Sequence, residues 1–470
     1  MSAGAVAFER GTALLQSGDA AAALPLLREA MHALPGEARA AFRAGTAAFL
    51  LRDYAAAVEG FRAATARDPR WVEAWNNLAA SLARVPDHDA AIAAARHSLQ
   101  LDSQRTDSWM ALAALLSNRF DRDSIAEGLR AVALVLRAEP RSAKAHQVAG
   151  LLWRKHGDLE RAEKHARQSV ALALNDAESV EALGELLLLR DKPADAIAVY
   201  RDALARGVST QVIGRQLGIA LLQAGHAPEA AATLSAAVQA APDDQRAIAH
   251  LGVALAATGD TAAAERLWGV QRNVHTVRLP PPEGFADDET FRTALAADIR
   301  RHSQQRWEPV GLAARQAFLS GDLLADRTPA IVGFEQRLRA AIDDFIARCH
   351  HDPRDAFLHA IPRDYVLHVW ATQAAQSGYI DTHIHEESWL SGAYYVELPD
   401  AIRDDDPQHA GWIEFGRPYR GLPVVPEAML RRIRPQVGEL LLFPSFLFHR
   451  TLPYTGPGER ISISFDLAAA

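Results

Sequence analysis

Three histidines near the end of the chain have the residue type and spacing of a metal site. His383 and His385 lie two residues apart in DTHIHEES, so both imidazoles leave the same face of an extended strand. His449 ends an apolar strand candidate further along the chain. Two close ligands and one distant ligand can occupy one face of a metal ion and leave positions open for substrates and O2. This arrangement suits non-haem iron(II).

A possible anion-binding pair follows the third histidine. Arg460 and Ser462 lie two residues apart in ERISISF, so on a strand they share a face. A guanidinium matches a carboxylate with two parallel hydrogen bonds, and a neighbouring hydroxyl can contribute another. We therefore expect Arg460 and Ser462 to bind a carboxylate of a dicarboxylate cosubstrate.

Short runs rich in Val, Ile, Tyr and Trp predict the strands that position these side chains. The runs after residue 364 are YVLHVWAT, YIDTHIHE, SGAYYVEL, GWIEF, GELLLFP and RISISFDL. So many short strands predict an antiparallel barrel or a double-sheet jelly roll, in which facing strands converge on an open mouth. Helical periodicity over residues 287–303, 310–320 and 329–349 predicts covering helices.

Three segments of this region, HIHEESWLSGAYYVELP, PQVGELLLFPSFLFH and GERISISFD, resemble the 2-oxoglutarate-Fe(II) oxygenases. The family pattern combines His-x-His, Ser-Gly-x-Tyr-Tyr, Gly-x-Leu-x-x-Phe-Pro-Ser-x-x-x-His and Arg-x-Ser. The resemblance covers about residues 286–470. It implies a double-stranded β-helix that holds Fe(II) and the cosubstrate 2-oxoglutarate, which O2 converts to succinate and CO2. Hydroxylation of a substrate is the usual outcome in that family.

Two ligand sets are open. Most such oxygenases bind iron through His-x-Asp or His-x-Glu plus a distal histidine, and the His383 pair lacks that carboxylate. Either His383, His385 and His449 form a three-histidine catalytic site, which the family pattern favours, or His385 and Glu387 supply the His-x-Glu pair. In the first case Glu387 could orient an imidazole by hydrogen bonding.

The chain before these strands repeats itself. Small residues recur at intervals of 34 in two series, namely Gly11, Gly45, Ala79 and Ala113, then Gly150, Gly184, Gly218 and Gly252. Alanine follows most of them twelve residues later, and a larger apolar residue such as Phe61 or Tyr200 comes four residues after that alanine. This pattern resembles the tetratricopeptide repeat, a pair of short helices, in about eight units. Three extra residues between the two series are expected in a turn within 118–127.

A single two-helix unit cannot bury its own apolar face, so the units must stack into an all-α superhelix. The concave surface of such a superhelix commonly holds a peptide or an extended protein segment. We therefore predict a repeat array at 1–275, a proline-rich linker at 276–285 and an oxygenase-like domain at 286–470. The expected partner is a protein or peptide bound by the concave face.

Composition excludes several other classes. The net charge is -8 and the pI is near 6.1, which is unlike the basic footprint of a nucleic-acid binder. The single cysteine, Cys349, cannot form an intramolecular disulfide, and MSAGAVAFERG lacks the basic and apolar regions of a signal peptide. Apolar runs are far shorter than the roughly 20 residues of a membrane helix. We expect a cytoplasmic protein with no nucleic-acid or membrane partner.

Taken together, these features predict a 2-oxoglutarate- and Fe(II)-dependent dioxygenase that hydroxylates a protein or peptide recruited by the repeats. One alternative is a repeat scaffold or adaptor whose C-terminal domain has lost catalysis, which is favoured if that domain binds no Fe(II). Another is an oxygenase that acts on a small molecule. A repeat-fused glycosyltransferase would need paired Rossmann-like domains, and the region after 285 is too short and too rich in strands for them.

Overall fold

The computed structural model of the chain describes residues 2–85, 87–208, 210–302 and 312–470. The chain divides into two compact units, Met1–Leu172 and Ala173–Ala470. Within the described ranges, no helix combines the length and the apolar character needed to cross a membrane.

The described part of the first unit contains ten helices, which pack as successive antiparallel pairs. They are α1 (Ala3–Gln16), α2 (Ala20–Ala33), α3 (Ala38–Leu50), α4 (Tyr54–Arg67), α5 (Val72–Leu82), α6 (His88–Leu101), α7 (Thr106–Ser117), α8 (Arg122–Ala138), α9 (Ala143–His156) and α10 (Leu159–Leu172). Each pair is one repeat, so this unit holds five of the predicted units.

Aspartates at the repeat interval begin the second helix of each of the first four pairs. Asp19, Asp53, Asp87 and Asp121 each accept a hydrogen bond from the backbone N–H three residues further on. Such a cap satisfies an N–H that has no partner within the helix and contributes about 1 kcal/mol. The three extra residues lie after the last of these caps, because α8 has 17 residues where α6 has 14. The prediction that a turn absorbs them is wrong.

The recurring small residue gives room for the large apolar residue of the same repeat. A Cβ atom on Gly184 would overlap the ring of Tyr200, and one on Gly252 would overlap Trp268. Tyr200 and Trp268 are fully buried. In these two repeats the large residue packs directly against the backbone of the first helix, in space that a side chain would fill.

Replacement of Gly184 by alanine is expected to destabilise its unit by about 1–3 kcal/mol, because the added methyl overpacks against Tyr200. Gly150→Ala is the matched control. The equivalent Cβ there meets its nearest atom, the Ala162 carbonyl oxygen, at 3.5 Å, an ordinary contact. Urea unfolding should show a lower midpoint for Gly184→Ala only, and equal midpoints for both variants would contradict this account of the packing.

The second unit begins with three further helix pairs. They are α11 (Ala177–Leu189) with α12 (Pro193–Ala205), α13 (Thr210–Gln223) with α14 (Ala227–Ala240), and α15 (Gln245–Ala257) with α16 (Thr261–Trp268). Two later helices, α17 (Asp288–Arg301) and α18 (Pro329–Arg348), cover a sheet. Phe334 of α18 packs on Tyr394 with ring centroids 5.2 Å apart, and Arg292 of α17 donates a hydrogen bond to the Val396 carbonyl.

Nine strands in the described part of this unit form two antiparallel sheets. They are β1 (His275–Arg278), β2 (Ala314–Leu319), β3 (Tyr365–Ile380), β4 (Leu390–Glu397), β5 (Ile413–Phe415), β6 (Arg431–Ile433), β7 (Glu439–Pro444), β8 (His449–Thr451) and β9 (Glu459–Ala469). The strand order is β1-β7-β4-β9-β3-β2 in the larger sheet and β6-β5-β8 in the smaller one. Phe415 and Phe443 pack across the space between the sheets, with ring centroids 4.9 Å apart. The C-terminal domain is therefore a jelly roll, as predicted.

Three details differ from the sequence predictions. The helix predicted at 310–320 is wrong, because β2 occupies 314–319; residues 310 and 311 lie outside the described residues. The strand candidate YIDTHIHE ends at Ile380, where β3 ends, and His383 beyond it makes only an isolated bridge. The predicted linker begins with strand residues, since β1 pairs with β7.

Candidate metal centre

The structure brings the three predicted histidines together from two parts of the chain. His383 and His449 exchange two backbone hydrogen bonds, both of 3.1 Å, and His385 N–H donates to the Ser445 carbonyl at 3.0 Å. The ring centroids of His383 and His449 are 4.2 Å apart. One candidate ligand atom from each of the three side chains lies within 4.8 Å of the other two. This spacing can accommodate one metal ion.

Hydrogen bonds fix the orientation of each imidazole. The Nδ1 atom of His383 lies 2.9 Å from the Asp381 carbonyl oxygen, that of His449 lies 2.9 Å from the Leu447 carbonyl oxygen, and that of His385 lies 2.8 Å from Asp466 Oδ2. Carbonyl and ionised carboxylate oxygens only accept, so each Nδ1 carries the proton. Each Nε2 therefore keeps its lone pair for a metal.

Electrostatics keep two of these rings neutral. Burial, followed by the neighbouring His385 imidazole, lowers the pKa of His383 to about 3. Burial and the two neighbouring imidazoles also lower the pKa of His449 well below its usual value. A metal ligand must be deprotonated, so these two imidazoles need not lose a proton at neutral pH before they bind.

Glu387 does not join this group. The chain turns at Glu386 and Glu387, so the strand alternation that would place Glu387 beside His385 ends there, and Glu387 is exposed. Within the described residues, the three converging groups are all imidazoles. The carboxylate that orients His385 is instead Asp466, whose second oxygen accepts a hydrogen bond from Ser391 at 2.6 Å.

The register of β9 positions Arg460 and Ser462 on the same face as Asp466. Pairing with β3 places Ala374 opposite Arg460 and Thr372 opposite Ser462. Directly opposed residues project to one side of a sheet, and residues two apart share a face. The predicted cosubstrate pair and the partner of His385 therefore line one continuous strip of β9.

Arg460 is buried and has an unused donor. Its Nη2 donates to Thr451 Oγ1 at 3.1 Å, and Thr451 is two residues past His449 on β8. The guanidinium therefore lies on the same side of β8 as the His449 imidazole. Within the described part of the chain, Nη1 of Arg460 has no hydrogen-bond partner, although Arg460 is only 2% exposed. Burial lowers the pKa of the Arg460 guanidinium. An anionic ligand would satisfy both the charge and the orphaned N–H groups.

Sequence reasoning did not identify Asp466, Thr451 or Tyr395 as parts of this site. Tyr395 of β4 is paired with Ser462. Burial raises the pKa of Tyr395 to about 12, against the opposing effect of Arg460, so the phenol remains protonated at neutral pH. For Asp466 the sequence did contain a signal, because the alternation of residues on β9 places it on the same face as Arg460 and Ser462.

Comparison with known families agrees with both halves of this description. Residues 14–82 match one tetratricopeptide repeat family, and residues 149–208 and 215–269 match another. Residues 368–466 match the family described as Putative 2OG-Fe(II) oxygenase. The chain joins tetratricopeptide repeats to a C-terminal region that matches the Putative 2OG-Fe(II) oxygenase family. The match to the oxygenase family spans every predicted residue of the candidate centre.

Solved structures similar to the repeats include a tetratricopeptide repeat protein from Parabacteroides merdae, which is 14% identical with a TM-score of 0.44 and covers 54% of this chain and 99% of its own. YrrB, a protein described as having an unusual peptide-binding site, is 18% identical with a TM-score of 0.34, covering 37% of this chain and 89% of its own. TTC0263 from Thermus thermophilus is 25% identical with a TM-score of 0.33, covering 40% of this chain and 100% of its own. No curated protein matches the chain.

Proposed function

We propose that this protein is a 2-oxoglutarate- and Fe(II)-dependent dioxygenase that hydroxylates a protein or peptide. The observation that carries the proposal is the convergence of three imidazoles, each with Nδ1 protonated, beside a buried guanidinium with an orphaned N–H. The donor set fits a first-row metal, since imidazole suits iron, and the guanidinium fits a dicarboxylate cosubstrate.

His383, His385 and His449 would hold the iron through Nε2. Asp466 and the two backbone carbonyls keep these rings in the tautomer that binds metal. Bound Fe(II) would let O2 oxidise 2-oxoglutarate to succinate and CO2 and insert the remaining oxygen atom into a substrate C–H bond. The three-histidine set leaves the other metal positions for the cosubstrate and O2.

Arg460 would bind the carboxylate of 2-oxoglutarate that is remote from the metal. Its guanidinium is already fixed by Thr451, so little rotamer freedom is lost when the anion binds. Ser462 lies on the same strip of β9, and the neutral Tyr395 is paired with it on β4, so both can donate further hydrogen bonds to the carboxylate. These groups orient the cosubstrate and do not themselves take part in electron transfer.

The repeats would recruit the substrate. Tetratricopeptide arrays expose a concave surface that binds extended protein segments, and the described residues before the oxygenase domain form eight helix pairs. We propose a protein or peptide as the occupant of this surface. The cytoplasmic location inferred from the sequence belongs to the same proposal.

The test is uncoupled oxidation of 2-oxoglutarate by the full chain with Fe(II) and O2, measured as succinate. We expect His385→Ala to lower the rate by more than about 100-fold, because a metal ligand matters at least as much as the groups that orient it. Glu387→Gln should retain at least about half of the rate, because Glu387 lies outside the converging group. Equal losses in both variants would favour the His385 and Glu387 ligand set. Absence of succinate from the wild-type chain would favour the adaptor alternative.

A further inference from the structure

The eighth repeat contacts the segment that carries His385. Arg246 lies on α15, and its Nη1 is 3.5 Å from Oε1 of Glu386, the residue that directly follows His385. The same nitrogen donates to Oε1 of Glu185 on α11 at 2.6 Å. One guanidinium thus links two repeats to the loop that presents two of the three imidazoles.

The same repeat also contacts the segment that carries His449. His250 lies one turn after Arg246 and donates from Nδ1 to the Arg246 carbonyl, so its Nε2 accepts from the hydroxyl of Tyr419 at 2.7 Å. The His250 ring packs against Phe448 with centroids 5.4 Å apart, and the Trp268 ring of α16 also packs against Phe448 with centroids 6.0 Å apart. Phe448 is fully buried and directly precedes His449.

We propose that the eighth repeat is a structural part of the metal centre and that Arg246 is a positioning residue for it. The inference rests on the proposed metal-binding function. Arg246 acts through Glu386, because the ion pair fixes the loop on which His385 must point at the metal. The contacts of Phe448 with His250 and Trp268 likewise fix the start of β8, where His449 lies.

The charges around Arg246 explain why its loss would move the loop. Glu185 and Glu386 both face this guanidinium, and their Oε1 atoms lie 2.6 Å and 3.5 Å from its Nη1. Without Arg246 the two carboxylates would repel each other across a partly buried space. Displacement of Glu386 would carry the adjacent His385 away from the other two imidazoles.

Arg215 provides a matched control within the same network. Arg215 lies on α13, in the repeat between the two repeats that Arg246 links. It also pairs with two carboxylates, those of Glu181 at 3.2 Å and Asp244 at 2.9 Å. Both of its partners belong to repeats. A variant at Arg215 therefore removes two ion pairs within the repeats and a positive charge near Glu386, but no ion pair with the histidine-bearing loop.

The experiment measures Co(II) affinity and the visible ligand-field spectrum of the full chain, with Co(II) as the probe for the iron site. We expect Arg246→Gln to weaken Co(II) binding by about 10-fold or more, the usual cost of losing a group that orients metal ligands. Arg246→Lys should restore part of the affinity, and Arg215→Gln should stay within about twofold of the wild type. Glu386→Gln combined with Arg246→Gln should cost no more than Arg246→Gln alone.

The outcomes separate this inference from the proposed function. The positioning role alone is overturned if the wild type binds Co(II) and Arg246→Gln binds it with the same affinity. It is also overturned if Arg246→Gln and Arg215→Gln lose equal Co(II) affinity. A wild-type chain that binds Co(II) but forms no succinate contradicts the oxygenase proposal and leaves the positioning role standing if the variants behave as expected. A wild-type chain that binds no Co(II) overturns both.

Discussion

Replacement of His449 by alanine is expected to abolish the visible charge-transfer band that Fe(II) and 2-oxoglutarate give with the wild-type chain under anaerobic conditions. His449 supplies one of only three converging imidazoles in the described residues, and it is the one contributed by a separate strand. The remaining pair lies on one loop, so without His449 an ion would lose its attachment to β8. We expect Fe(II) affinity to fall by more than about 100-fold, above the range for losing an orienting partner.

His350→Ala is the control for this measurement. His350 is exposed and lies outside the converging group, so its removal should leave the titration unchanged. The reciprocal backbone hydrogen bonds between residues 383 and 449 do not depend on the imidazole, and the alanine variant should therefore keep its strand pairing. A normal band in His449→Ala, with a folded chain, would remove the metal assignment.

The repeats could be predicted from sequence because each unit depends on local spacing. The close contact between Gly184 and Tyr200 lies within a single unit, and its residue types show it directly. The prediction put the three extra residues in a turn, but three residues are nearly one helical turn. The helix α8 can therefore be longer and still keep its apolar face. The position of Asp121, at the regular interval from Asp87, shows that the extra residues come after it.

The site was only partly predictable because its supporting contacts join distant parts of the chain. His383 and His385 are neighbours in sequence, and a motif links them to His449. Glu387 is just as close in sequence, yet a turn directs it outward. Asp466 meets His385 across 81 residues of sequence, and local periodicity does not specify such a pairing.

No feature of the sequence predicted the contacts of the last repeat with the segments that carry the histidines. A boundary at residue 275 follows from the end of the periodicity and from the prolines that come after it. Nevertheless, the last three helix pairs belong to the same compact unit as the C-terminal jelly roll. The ion pair of Arg246 with Glu386 is one reason, since it joins residues on either side of the predicted boundary.

Replacement of Arg460 by alanine should separate cosubstrate binding from metal binding. We expect the affinity for 2-oxoglutarate in the presence of Fe(II) to fall by about 100-fold. Two hydrogen bonds from a guanidinium to a carboxylate, each worth about 1.5 kcal/mol, correspond to this factor. Affinity for Fe(II) alone should change little, because the described contacts of Arg460 include Thr451 and none of the three imidazoles.

Arg460→Lys tests whether the fork of donors is needed in addition to the charge. Lysine keeps a positive charge but cannot form two parallel hydrogen bonds, so an intermediate affinity is expected. Arg300→Ala is the control, because Arg300 forms surface ion pairs with Glu397 and Glu459 beside the same strand. Isothermal titration with 2-oxoglutarate should rank wild type and Arg300→Ala first, Arg460→Lys next and Arg460→Ala last. Wild-type affinity in Arg460→Ala would mean that the buried guanidinium, despite its orphaned Nη1, serves the fold and not the cosubstrate.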